Sequence, residues 1–159
     1  MKRLFILASL LLPLVVCGQK KEDLSKTALE LCQYIPDHVL KPEAQEFMTP
    51  EFFSALDAAF NAPVETEGMI GCNEWLFYFV TGNGGSTPFY TVKSVTQTSE
   101  DTATAVINVK DIWQEGAEPV GEGADYEISL VRVNGKWLLD DFDGKKAQCI
   151  QYVKSLQIK

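Results

Sequence analysis

The chain is poor in the residues that most catalytic and metal centres require. It has a single histidine, His38, and four cysteines, Cys17, Cys32, Cys72 and Cys149, with no Cys-x-x-Cys pair. Zinc sites draw four ligands from cysteine and histidine at close spacing, so no metal and no other cofactor is expected. No Gly-x-Ser-x-Gly nucleophile motif occurs, and His38, between Asp37 and Val39, reads as a surface histidine rather than a catalytic base. The glycine-rich stretch "TGNGGST" lacks the lysine of a phosphate-binding loop, because Gly85 is followed by Ser86-Thr87. It reads as a connector. Basic residues are also scarce: 14 against 22 acidic ones, for a net charge of −8. An acidic surface repels phosphates and excludes nucleic acid as an expected partner.

Long apolar runs are nearly absent as well. The exception is Leu4 to Val16, "LFILASLLLPLVV", behind the basic start Met1-Lys2-Arg3. Interrupted by Pro13 and too short for a comfortable membrane span, it predicts a secretory signal over residues 1–16. It ends at Cys17, which resembles the lipidated cysteine of the bacterial lipoprotein box, although Val16 stands where a smaller residue is usual. Cleavage after Gly18 is the alternative. Lipidation makes Cys17 the first residue of a short tether, 17–23, with acyl chains as the only membrane attachment, each buried methylene contributing about 0.8 kcal/mol. The expected location is the bacterial cell envelope, at the outer membrane; a soluble periplasmic or secreted protein is the alternative. Removing 16 of 159 residues leaves 143, enough for one domain over 24–159, and shifts the charge from −8 to −10. In an oxidising exterior, two of Cys32, Cys72 and Cys149 are expected to pair, against the competing reading of three buried thiols.

Helices come first and strands later. Leu24, Ala28, Leu31, Cys32 and Ile35 have helical spacing, and Pro36 is expected to stop that helix. "KPEAQEFM" suggests a short turn or helix. "TPEFFSALDAAFNAP" has Thr49 as N-cap and Pro50 at the first helical position, with Phe52, Phe53, Leu56 and Phe60 on one side. Residues 74–80, "EWLFYFV", are apolar all round, which leaves helix and strand open. Strands are predicted over 88–97, 102–113, 124–133 and 136–142, the last two joined by the hairpin pair Asn134-Gly135. Cys149, Ile150, Val153 and Leu156 mark a closing helix. The fold class is therefore α+β, with helices packed in a curved, mainly antiparallel sheet.

This order of elements, ending in "ISLVRVNGKWLLDDF", resembles the nuclear transport factor 2-like superfamily, a cystatin-like cone with small secreted and lipid-anchored bacterial members. The resemblance implies a pocket inside the cone and allows a homodimer through the exposed sheet face. Trp75, Tyr78, Tyr90, Asp111, Trp113 and Tyr126 are the candidate pocket residues. Strand alternation places Asp111 with Ala103, Ala105, Ile107 and Val109, although a solvated rim position is the simpler reading. Asp140, Asp141 and Asp143 are read as structural: alternation sets the first two on opposite faces, and Asp143 is expected to cap the last helix. Two functions remain. One is a non-catalytic envelope domain binding a small apolar ligand, a peptide or an envelope protein. The other is an isomerase, dehydratase or hydrolase using Asp111 and a tyrosine.

Overall fold

The computed structural model describes residues 23–38, 41–62 and 86–156. Residues 1–22, Cys72, Trp75, Tyr78 and the open question at 74–80 lie outside them. The elements are α1 (Leu24–His38), a 3₁₀ turn (Pro42–Glu46), α2 (Pro50–Phe60), β1 (Thr87–Gln97), β2 (Thr102–Ile112), β3 (Val120–Val133), β4 (Lys136–Phe142) and α3 (Lys145–Leu156). The strands form an open antiparallel meander in the order β1-β2-β3-β4. The α+β expectation holds. Among the described residues no helix is long and apolar enough to cross a membrane.

Each helix is held at its start by a side chain. Asp23 accepts at Oδ1 from the amides of Ser25 and Lys26, at 3.2 and 3.3 Å, capping α1. Ala28, Leu31 and Cys32 form its buried stripe. Pro36 does not end α1, which continues to His38. A proline removes only one donor, and close to a helix end that loss is smaller than in the interior. Thr49 caps α2 as expected, accepting from the Phe52 amide with Pro50 at the first position. The stripe of α2 differs from the expected one: Phe52, Ala55, Leu56 and Ala59 are buried, whereas Phe60 is exposed. α2 packs against α3, and the buried stripe runs through small alanines while the bulky Phe60 ring is left outside it.

The sheet departs from simple alternation at three irregularities, near Val92, Val109 and Ser129. The last of these corrects the facing of β4. Leu139 stands opposite Leu130 and Phe142 opposite Ile128, so the extra residue in β4 returns Phe142 to the core side. β3 begins at Val120, four residues before the predicted Ala124. Its early part crosses β2 so closely that a Cβ on Gly123 would lie 2.5 Å from the Val109 carbonyl, which demands glycine. Asn134 and Gly135 take φ of 52° and 81°, the left-handed pair of a tight hairpin. The outer edge of β4 is covered by the segment after the 3₁₀ turn. The Thr49 amide donates to Leu139 O and the Leu139 amide to Phe47 O, both at 2.9 Å. That edge is closed to further strand pairing.

Candidate functional site

The three aspartates at the end of β4 form a joint between helices. Asp140 accepts from the Thr49 hydroxyl at 2.7 Å through Oδ1, and its Oδ2 lies 2.6 Å from Lys146 Nζ. Asp141 accepts at Oδ1 from the amides of Phe142 and Lys146, both at 2.8 Å. Asp141, not Asp143, therefore caps α3. Asp143 has φ of 50° in the turn, and its amide donates to Glu127 O at 2.7 Å. The bulge in β4 is what swings Asp141 toward α3, which alternation alone does not reveal. Asp140 has both oxygens committed and Asp141 has Oδ1 committed, each to contacts that join β4 to the helices.

At the end of the sheet where β1 begins and β2 finishes, the predicted pocket residues separate. Tyr90 is buried in the core, and Trp113 is 52% exposed. Asp111 is half-buried and accepts a 2.6 Å hydrogen bond from the buried Ser86 hydroxyl. Tyr126 lies partly buried with its ring 5.6 Å from that of Phe142. Its phenol is pushed above the ordinary value, first by burial, then by the charges of Asp143 and Asp111. At neutral pH it stays protonated, able to donate a hydrogen bond. Tyr126 stands opposite Ile107 and Asp111 opposite Val120, so the two are separated along the sheet.

The opposite end of the sheet carries a groove of about 610 Å³ that reading the strands alone does not suggest. Its lining comes from three elements: Thr27, Glu30, Leu31 and Tyr34 of α1, Glu43, Glu46 and Phe47 at the 3₁₀ turn, and Gly135, Lys136 and Trp137 at the hairpin. Tyr34 is 51% exposed and stacks on the buried Phe47 with ring centres 5.1 Å apart. Trp137 is buried, with the Arg132 guanidinium carbon 4.9 Å from its ring centre. The Lys136 ammonium donates to the Glu46 carbonyl, which ties the hairpin to the 3₁₀ turn. Tyr34 and Trp137 are not among the candidate pocket residues named from the sequence. The signal that points to the groove is a large aromatic on the solvent side of α1, one helical turn beyond Glu30.

The sheet also carries a polar lock. Asp125 accepts from Lys93 at 2.6 Å and from Asn108 at 2.7 Å, and these bonds hold its carboxyl below the usual range. Cys32 and Cys149 are both fully buried and are not bonded to each other; burial pushes the Cys32 thiol up to about 12. Among the described residues no group of three histidine, cysteine or acidic side chains is placed to hold a metal ion. No family model matches the chain, and no curated protein matches it.

Proposed function

We propose that the protein is an exported, lipid-anchored domain of the nuclear transport factor 2-like kind that binds a partner rather than transforming a substrate. Support for the superfamily is the helix-then-meander order and the Asn-Gly hairpin that leads into Trp137. The proposed anchor is Cys17. The observation that carries the binding role is the groove at the hairpin end, whose apolar floor of Leu31, Phe47 and Trp137 lies beneath an exposed Tyr34. Concave sites with an apolar floor and a few polar groups at the margin are the usual form of a binding pocket. Nile red, a neutral apolar dye, tests the role: its fluorescence is expected to rise on binding to the purified domain and to fall back in Tyr34→Ala. No rise, or a rise that Tyr34→Ala leaves unchanged, would remove the groove as the binding site.

A catalytic reading is kept for one observation. Asp111 accepts from the buried Ser86 hydroxyl, and its charge is the last of three influences that raise the Tyr126 phenol, a carboxylate and a neutral hydroxyl on neighbouring strands. That pair suits proton transfer next to a carbonyl. Its test is turnover of a simple cyclic ketone, followed by loss of proton exchange in Asp111→Asn.

A further inference from the structure

We infer that β3 carries a strand-addition site ahead of Ile128, an edge that takes an extended peptide segment of another protein in the lane where β4 stops. This surface is separate from the groove and does not depend on it. β3 runs from Val120 to Val133, whereas β4 pairs with it only as far as Ile128, which stands opposite Phe142. After Phe142 the chain turns at Gly144, φ 75°, into α3, which packs on α2. Residues 120–125 are all exposed, although β3 is an interior strand along the rest of its length. Gly121 and Gly123 take φ of 79° and 76°, so the regular part of this edge is residues 124–127.

The direction of the main-chain groups decides what this edge can hold. The Arg132 amide donates to Asp101 O at 2.8 Å, on the β2 side. Main-chain groups alternate along an antiparallel strand, and the register with β2 is unbroken from Val131 to Ala124. Even-numbered residues of this stretch therefore turn their amides and carbonyls to β2, while Asp125 and Glu127 turn theirs to the β4 side. The Asp143 amide takes the Glu127 carbonyl at 2.7 Å. The Glu127 amide and both groups of Asp125 have no strand beside them among the described residues. Such a row is a template for another chain. It is held in place, because Lys93 and Asn108 bond the Asp125 side chain at 2.6 and 2.7 Å. The other edges are guarded: residues 47–49 cover β4, and a bulge near Val92 interrupts β1. A second copy is the wrong occupant. Two-fold pairing would set Asp125 opposite Glu127 or opposite its own counterpart, and like charges directly opposite are destabilising. The occupant is therefore an extended peptide without acidic residues, bound through its main chain and antiparallel to β3 as β4 is.

Hydrogen exchange of the ¹⁵N-labelled domain with an acetylated, amidated Thr-Val-Thr-Val-Thr peptide tests this. The peptide is expected to slow exchange of the Asp125 and Glu127 amides at least about tenfold. The amides of Ala124 and Tyr126, which already face β2, are expected to stay unchanged. In the lane of β4 the residues that bond to β3 are those facing away from the core: Lys136 and Leu138 stand opposite Val133 and Val131, while Trp137 belongs to the core. With valines toward the core, the threonine amides therefore face β3. N-methylation of the threonine nitrogens is expected to abolish the protection, and N-methylation of the valine nitrogens to leave it in place. No protection by the parent peptide, equal protection by the two methylated forms, or uniform slowing across residues 124–127 would overturn the inference. So would amide shifts confined to residues 135–137, which would seat the peptide in the groove instead. Nile red binding and its sensitivity to Tyr34→Ala are expected to persist with the peptide bound, so the two sites succeed or fail separately.

Discussion

The two ends of the sheet hold similar side chains arranged to opposite effect. At the β4–α3 end, Asp140 and Asp141 are consumed by Thr49, Lys146 and main-chain amides, and Phe142 is fully buried against Tyr126. At the hairpin end, Glu43 and Glu46 stand exposed and Tyr34 projects above a buried aromatic floor. Carboxylates serve folding in the first place, whereas in the second Glu43 and Glu46 stand exposed around a concavity. Buried polar groups must be satisfied within the protein, whereas exposed groups around a concavity keep their capacity for a partner.

The sharpest way to break this contrast is to truncate one aromatic at each end. Phe142→Ala leaves a cavity among fully buried neighbours and is expected to destabilise by about 3–5 kcal/mol. Tyr34→Ala, at an exposed position, is expected to stay within about 1 kcal/mol of wild type while losing Nile red binding. Urea unfolding of the two variants measures both. Comparable stability losses would mean that the hairpin end is as structural as the other.

Cys32 separates the two sides of α1, one lining the groove and the other facing the core. Its thiol sits at about 12 in the fold against an ordinary 9.0. The unfolded chain therefore loses this proton first, so stability is full below about pH 9 and falls as pH rises toward 12, at about 1.4 kcal/mol per pH unit for this group. Urea midpoints at pH 8 and pH 10, compared with those of Cys32→Ala, check the sign. In the native protein Cys32 is expected to resist iodoacetamide until urea unfolds it, as a buried thiol does.

A smaller effect sharpens the assignment of the joint. Thr49→Ala removes the cap of α2 and the donor to Asp140 together, and is expected to lower stability by about 1–2 kcal/mol. Thr49→Ser keeps both bonds and is expected to recover most of the loss. Equal losses in the two variants would show that the methyl group, not the hydroxyl, is what matters at Thr49.

Much of this frame was legible in the residues. Thr49-Pro50 marked the start of α2, and Asn134-Gly135 marked the hairpin, because each rests on a local rule of capping or of positive φ. The failures arose where a neighbour overrode the local pattern. The bulge near Ser129 reversed the facing of Phe142 and carried Asp141 to α3, and no periodicity within β4 announces it. Phe60 is exposed while Ala55 and Ala59 are buried, in a helix that packs on α3, a contact between segments distant in sequence. The groove was missed for a related reason: Glu30, Glu43 and Trp137 come together only through the tertiary fold. Asp111, which alternation groups with the apolar face of β2, is half-buried and accepts a hydrogen bond from Ser86.

The most direct test of the claim that the hairpin end is the binding end uses nuclear magnetic resonance with indole, a neutral aromatic probe. Titration into the ¹⁵N-labelled domain is expected to shift the amides of Thr27 to Tyr34, Glu43 to Phe47 and Gly135 to Trp137, while those of Asp111 and Tyr126 stay in place. Shifts centred on Ser86, Asp111 and Tyr126, with the hairpin end unmoved, would contradict it and move the functional site to the other end of the sheet.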